Sequence, residues 1–251
     1  MRCVWMVATL CALGAAPVVA KEPGAAAARL FSTHARLAVD ATGAVTAVEP
    51  DAALSSVVQD AIRTTAMGWR FEPALKHGRA VGGVTHASVR GCLAEIGDGL
   101  RMQFSLRGTG PRAVSGPSTP GPPTSLARAN DVKRFELTYR VDADGRGTLT
   151  QLQQIAGRPS SLAAFRRQVD AWMSQRRFAA EELDGTPVAT RMTTELSYAS
   201  GGSIEEVMRK MPEVAAIRRE ERECAVALRT DSAHPQATVA LDSPFRPHGD
   251  I

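Results

Sequence analysis

The chain has 251 residues, of which 44% are hydrophobic and 22% are charged, and its formal net charge at pH 7 is +4. This length suits one large domain or two small ones, and the composition is typical of a globular protein rather than a disordered one. A mildly basic chain with no run of lysine and arginine interleaved with aromatic residues is not expected to bind nucleic acid.

The first 20 residues have the features of a secretory signal peptide. Arg2 lies near the start, a long apolar stretch follows, and the sequence VVA at residues 18–20 suits cleavage before Lys21. We therefore predict an exported protein that keeps no membrane span after cleavage. The alternative is an uncleaved anchor, because an apolar run of about 18 residues is marginal for crossing a bilayer.

Cys92 and Cys224 are the two cysteines that remain beyond residue 20. An even pair in an exported protein is compatible with a disulfide, which would close a loop of about 130 residues. Two buried thiols are the alternative. Two cysteines and five scattered histidines give no ligand spacing for zinc, and we predict neither a metal nor a cofactor.

Residues 34–106 predict a first small domain. Alternating apolar residues on both sides of a turn at 41–43 predict a β-hairpin. Apolar residues at three- and four-residue spacing between Leu54 and Thr65 predict an amphipathic helix, with Asp51 as its candidate N-cap. The helix is thus expected to cover one face of the hairpin.

The rest of this domain is predicted to be extended. The stretch Trp69–Val81 turns the chain at Gly78, and strands are expected over residues 80–89 and 100–106. Residues 21–33 are small and are predicted to form a loose leader. The expected order of elements in the domain is β-β-α-β.

A second copy of this pattern is predicted over residues 132–200. The stretch Arg176–Val188 keeps the Phe, Gly and Val of Trp69–Val81 at an offset of about 107 residues. Residues 107–131 are rich in Pro, Gly and Ser and are expected to be an inter-domain linker. We therefore predict an α+β fold with two small β-β-α-β units, each an antiparallel sheet with a helix on one face.

Residues 201–251 are predicted to be a C-terminal helical extension. The sequence SIEE at 203–206 has the spacing of a capping box and begins a helix. From Cys224 onward the pattern fits either a continued helix or a hairpin that pairs 224–228 with 237–241. The last ten residues are expected to be a disordered tail.

Several short motifs resemble the C-terminal domain of TonB-like energy transducers. They are VDATG at 39–43, WRFEPA at 69–74 and GRAV at 78–81, with VDADG at 141–145 and GTPV at 185–188 in the second copy. The resemblance implies a periplasmic protein of the bacterial cell envelope. In that family, the edge near the last strand of the sheet takes a segment of an outer-membrane transporter.

We predict a non-catalytic interaction protein that binds an envelope protein or peptide by pairing with an edge strand. The sequence has none of the patterns G-x-S-x-G, G-x-x-x-x-G-K-[ST] and H-E-x-x-H. The candidate edge residues are Val84, Ala87, Val89, Met192, Thr194 and Leu196. One alternative is a membrane-anchored, atypical TonB-like transducer that serves outer-membrane transport, and another is an envelope enzyme.

Other conspicuous residues are given structural interpretations. Trp69 and Phe71 are expected in the core at the junction of helix and strand. His77 and His86 are not expected to form a site. The acidic residues between Glu181 and Asp184 are predicted to lie on a solvated turn.

Overall fold

The computed structural model describes residues 28–96, 99–123, 131–159, 161–200, 219–220, 223–224 and 240–248. Within these residues, the predicted α+β class is confirmed: antiparallel sheets are combined with two long helices. The predicted signal peptide and the predicted capping box lie outside the described residues. Cys224 is helical and Leu241 lies in a turn, so these two ends of the alternative hairpin are not strands. The predicted disordered tail is wrong for residues 242–248, because Phe245 is buried in the first core.

The first half of the chain contains six strands and one helix among its described residues. Their bounds are β1 (Arg29–Val39), β2 (Val45–Pro50), α1 (Ser56–Ala66), β3 (Ala74–Lys76), β4 (Arg79–Val81), β5 (Gly83–Ile96) and β6 (Gly99–Gly110). β1 lies between β2 and β5, and β6 pairs with the other side of β5. The short hairpin β3–β4 lies between the helix and the long strand β5. The observed order β-β-α-β-β-β-β therefore has more strands than the predicted β-β-α-β.

The second half has a similar order of elements. Their bounds are β7 (Arg112–Ser115), β8 (Asp131–Val141), β9 (Gly147–Ala156), α2 (Leu162–Ser174), β10 (Arg177–Ala179), β11 (Glu181–Leu183), β12 (Thr186–Val188) and β13 (Thr190–Ser200). Three strands form one sheet in the order β13-β8-β9. The hairpin β11–β12 instead extends the first sheet, where β11 pairs with the start of β5.

Both hairpin turns touch the main chain that follows the helix. Gly43 has φ 85° and Gly145 has φ 77°, which is a conformation that suits glycine. The amide of Phe71 donates to the carbonyl of Gly43 at 2.8 Å, and that of Phe178 donates to Gly145 at 2.9 Å. A Cβ at either glycine would overlap the carbonyl oxygen of the phenylalanine. The glycine of each V-D-x-x-G motif is therefore required by a close main-chain contact.

Each half has its own apolar core. In the first, Trp69 and Phe71 are buried beside α1 and β1, as predicted, together with Leu37 and Ile62. In the second, the core consists of Phe135, Leu137, Val141, Leu149, Phe165, Val169, Trp172, Met173 and Phe178. Burying these side chains supplies most of the favourable free energy of folding.

The predicted loose leader is wrong in part, because β1 begins at Arg29. Phe31 lies opposite Gly91 and packs edge-to-face on Phe104, with 6.1 Å between the ring centroids. The small residues before Arg29 dominate the composition of this window and hide the strand that follows.

The predicted N-cap is also wrong. α1 begins at Ser56, and its N-cap is Ser55. Asp51 instead accepts a hydrogen bond from the amide of Ala53 at 3.1 Å and forms an ion pair with Arg112 at 3.2 Å. Its carboxylate therefore stabilises a turn before the helix and contacts the start of β7.

The described part of the predicted linker is structured: residues 107–110 end β6 in the first half, and the residues from Arg112 onward pack against the second half. β7 pairs with β10, and the carbonyls of Pro117 and Pro120 accept hydrogen bonds from Trp172 Nε1 at 2.9 Å and the Tyr198 hydroxyl at 3.0 Å. Proline lacks an N–H group but keeps this acceptor. The segment up to Pro123 is therefore part of the fold rather than a free spacer.

Cys92 and Cys224 form a disulfide, with 5.7 Å between their Cα atoms. The bond joins β5 to a helical turn that is 132 residues later in the sequence. Both cysteines are buried in a small cluster with Ala94. The disulfide therefore links the C-terminal region, at Cys224, to the central strand of the first sheet, β5.

We expect Gly43→Ala to lower the free energy of unfolding by about 3–4 kcal/mol, because left-handed strain adds to the overlap with the Phe71 carbonyl. Gly185→Ala is the matched control. Gly185 also has positive φ, 68°, but nothing within 4 Å of a Cβ, so about 1 kcal/mol is expected. Urea unfolding of both variants measures the difference. Equal losses of unfolding free energy in the two variants would contradict the close contact between Gly43 and the Phe71 carbonyl.

We expect reduction of the disulfide to lower the free energy of unfolding by up to about 4–5 kcal/mol, because a long loop of the unfolded chain is released. The double variant Cys92→Ala/Cys224→Ala is the control, and its unfolding should not respond to reductant. Urea unfolding with and without dithiothreitol is the measurement. If the reductant leaves the urea unfolding curve of the wild type unchanged, the disulfide adds no stability.

Candidate functional site

β5 has hydrogen-bonded neighbours on both sides, which corrects half of the predicted docking edge. Val84, Ala87 and Val89 each lie opposite a residue of β1 on one side and a residue of β6 or β11 on the other. The main-chain groups of this strand are therefore occupied. A partner strand cannot pair with β5 at these three residues.

β13 is different, since its only neighbour among the described residues is β8. It contains the other three predicted edge residues. Met192 and Leu196 are half-buried and pack on the second core, and Thr194 lies between them on the same side of the strand. This half of the prediction is thus placed on a strand at the edge of its sheet.

The outward main-chain groups of β13 can be assigned from one hydrogen bond. The amide of Arg191 donates to the carboxylate of Asp242 rather than to β8. Because main-chain groups of an antiparallel strand alternate in direction, Thr193 and Glu195 also point their N–H and C=O groups away from β8. These are the groups that an added strand would bond.

The two halves correspond residue by residue around this edge. Val39 of β1 lies opposite Gly83 at the start of β5, and Val141 of β8 lies opposite Thr190 at the start of β13. Both ladders then run for 11 residues without a register shift. In the first half, β6 covers the other side of β5 from His86 onward. The edge of β13 is the corresponding position in the second half.

Side chains along β13 hold the strand firmly on β8. The hydroxyl groups of Thr193 and Thr138 lie 3.4 Å apart across the two strands. Two residues further along β13, Glu195 forms an ion pair with Arg134 of β8. The edge is therefore a preorganised strand, which lowers the entropic cost of adding another.

Glu181 is a fully buried carboxylate at the junction of the halves. Its oxygens accept hydrogen bonds from the hydroxyls of Thr85 at 2.6 Å, Ser243 at 2.8 Å and Thr190 at 2.8 Å. Burial raises the pKa of Glu181, against the effect of the three donors, and the nearby charge of Asp242 raises it further. The arrangement joins β5, β11, β13 and the segment around Ser243 at one point.

The predicted solvated turn is therefore wrong for Glu181, although Asp184 does lie in an exposed turn with φ 52°. A signal for the burial of Glu181 exists in the repeat. Glu181 follows Phe178 at the distance at which Ala74 follows Phe71, and Ala74 is buried. The residue types alone gave no indication of the three hydroxyl partners, two of which, Thr85 and Ser243, come from distant parts of the chain.

His86 is buried beside basic groups. Burial, with the charges of Arg36 and Arg112, lowers its pKa to about 4, and burial also lowers the pKa of His34 on the neighbouring strand. His86 is therefore neutral at neutral pH. His77 occupies an exposed turn with φ 53°.

Neither a metal site nor a membrane-spanning helix occurs within the described ranges. No group of three or more His, Cys, Asp or Glu side chains there could hold a metal ion. No helix among those residues is long and apolar enough to cross a membrane.

No family model matches the chain, and no curated protein is similar to it at a significant level. The functional argument therefore depends on the geometry above and on the short motifs.

We expect acid to destabilise the protein through His86. The unfolded chain takes up this proton near pH 6.5, whereas the folded chain does so only near pH 4. The contribution of His86 to the free energy of unfolding is therefore full above pH 6.5. It is lost as the pH falls towards 4, by up to about 2 kcal/mol at pH 5. Urea unfolding at pH 7.5 and 5.0 measures this loss.

His86→Gln should lose less stability between these two pH values than the wild type. His77→Gln, in the exposed turn, should behave as the wild type does. If the wild type and His86→Gln respond equally to acid, His86 is not the group responsible.

Proposed function

We propose that this protein is a non-catalytic binding protein of the bacterial cell envelope, which pairs an extended segment of another envelope protein with β13. The observation that carries the proposal is the difference between two corresponding strands. β5 is covered by β6 on the side where β13 has no neighbour among the described residues. An extended segment would add to β13 in the way that β6 adds to β5, through main-chain hydrogen bonds.

We further propose that the halves are divergent copies of one β-β-α-β unit, similar to the C-terminal domain of TonB-like transducers. The matching turns at Gly43 and Gly145 support this, as do the matching ladders of β5 and β13. The resemblance then favours an outer-membrane transporter as the source of the bound segment. In this proposal Met192, Thr194 and Leu196 anchor the accepting strand, and its main chain does the binding.

A periplasmic location is part of the proposal. The signal-like residues 1–20 favour export, and the disulfide between Cys92 and Cys224 suits an oxidising compartment. The alternative is an anchored, atypical transducer, because the apolar N-terminal run is marginally long enough to cross a bilayer. Sequencing the N-terminus of the exported protein separates the two: Lys21 at the start indicates a soluble protein, and an intact Met1 indicates the anchor.

We expect Thr193→Pro to abolish capture of the partner from envelope extracts, with at least a tenfold loss. Proline removes the outward N–H of Thr193 but none of the bonds to β8, so the sheet should remain intact. Thr193→Val keeps the N–H and serves as the control for loss of the hydroxyl. Quantitative pull-down with all three proteins is the measurement. Capture that survives in Thr193→Pro would overturn binding at this edge.

A further inference from the structure

The chain that leaves each helix also accepts a strand, at a place separate from β13. In the second half, β10 pairs antiparallel with β7. In the first half, Phe71 forms an antiparallel bridge with Pro247. Here the amide of Glu72 donates to the carbonyl of Arg246 at 2.8 Å, and the amide of His248 donates to Arg70 at 2.9 Å. The same edge thus takes a segment from a distant part of the chain in both halves.

The segment 240–248 fills a specific seat in the first half. Phe245 is fully buried in the first core. Its ring lies against Gly83, where even a Cβ would come within 2.9 Å of the ring. In the second half, Thr190 stands at the position that corresponds to Gly83, and its hydroxyl is bonded to Glu181. The aromatic seat therefore belongs to the first half alone.

Polar contacts fix the main chain on both sides of this ring. The hydroxyl of Thr109 donates to the carbonyl of Phe245 at 2.7 Å, and the amide of Phe245 donates to the hydroxyl of Ser243 at 3.1 Å. Arg246 is exposed, whereas Pro247 is half-buried at the bridge. The contacts therefore favour a serine and, two places later, an aromatic residue. They tolerate proline at position 247, because the bridge uses the main-chain groups of Arg246 and His248.

We propose that the groove formed by residues 69–72, Gly83 and Thr109 is a second binding site, for an extended peptide of the pattern Ser-x-Phe. The chain's own segment 240–248 occupies this groove as a tethered ligand. Since the segment belongs to the same chain, its binding is intramolecular, and a free peptide competes poorly until the segment is loosened. The same segment places Asp242 on the amide of Arg191, so its release also frees the first outward group of β13.

The test uses the oxidised full-length chain and a fluorescent peptide with the sequence of residues 240–248. Phe245→Ala empties the seat, and we expect it to bind the peptide at least tenfold more tightly than the wild type does. Leu241→Ala is the matched control, because Leu241 is 50% exposed in the same segment. It should bind as weakly as the wild type. A peptide with alanine in place of phenylalanine should bind the Phe245→Ala protein at least tenfold more weakly.

The proposed site is wrong if a folded Phe245→Ala protein does not bind the peptide, or if it binds both peptides equally. If this variant does not fold alone, added peptide should restore its thermal transition. Should it not, Ser243→Ala decides the matter: this variant removes hydrogen bonds of the chain's own segment and leaves the residues of the groove unchanged, so peptide affinity should rise several-fold, and an unchanged affinity overturns the site. Thr193→Pro should leave peptide binding unaltered, which separates this site from the edge of β13.

Discussion

The contact between each hairpin turn and the main chain leaving each helix is the constraint on which the fold depends. Gly43 and Gly145 approach so closely that the carbonyls of Phe71 and Phe178 would overlap any side chain there. Hairpin, helix end and following strand are thereby held in one arrangement, and both phenylalanines enter a core at the same point. Because β5 and β13 start from these fixed points, their ladders with β1 and β8 have the same register.

The halves interlock through exchanged segments. The hairpin β11–β12 extends the first sheet, and β7 pairs with β10. At the junction, Glu181 is buried at the cost of its hydration, and this is tolerable only because three hydroxyls from separate segments bond it. Any movement between the halves would have to break this group of bonds. The junction therefore fixes where β13 lies and what covers its first residues.

Local features were predictable from the sequence, because each has a local cause. The turns at Gly43 and at Asp184-Gly185 need positive φ, and alternation of apolar residues marks most of the strands. Long-range pairing was not predictable. The strand over 100–106 was expected, but nothing in its residues says that it covers β5. The Pro-rich composition likewise conceals carbonyls that bond Trp172 and Tyr198, and the burial of Glu181 requires two partners, Thr85 and Ser243, from distant segments.

These features together favour a protein that presents strands at the edges of its sheets. Several described strands lie at an edge, and β13 is distinguished from them because the corresponding strand of the first half, β5, is covered by β6 on that side. Amide hydrogen exchange by NMR, with and without the bound segment, measures whether β13 is the edge that binds. The account predicts that Thr193 and Glu195 exchange rapidly alone and slowly in the complex, whereas Met192 and Thr194, bonded to β8, are slow in both. Rapid exchange of Thr193 and Glu195 in the complex, or protection of both in the free protein, would contradict it.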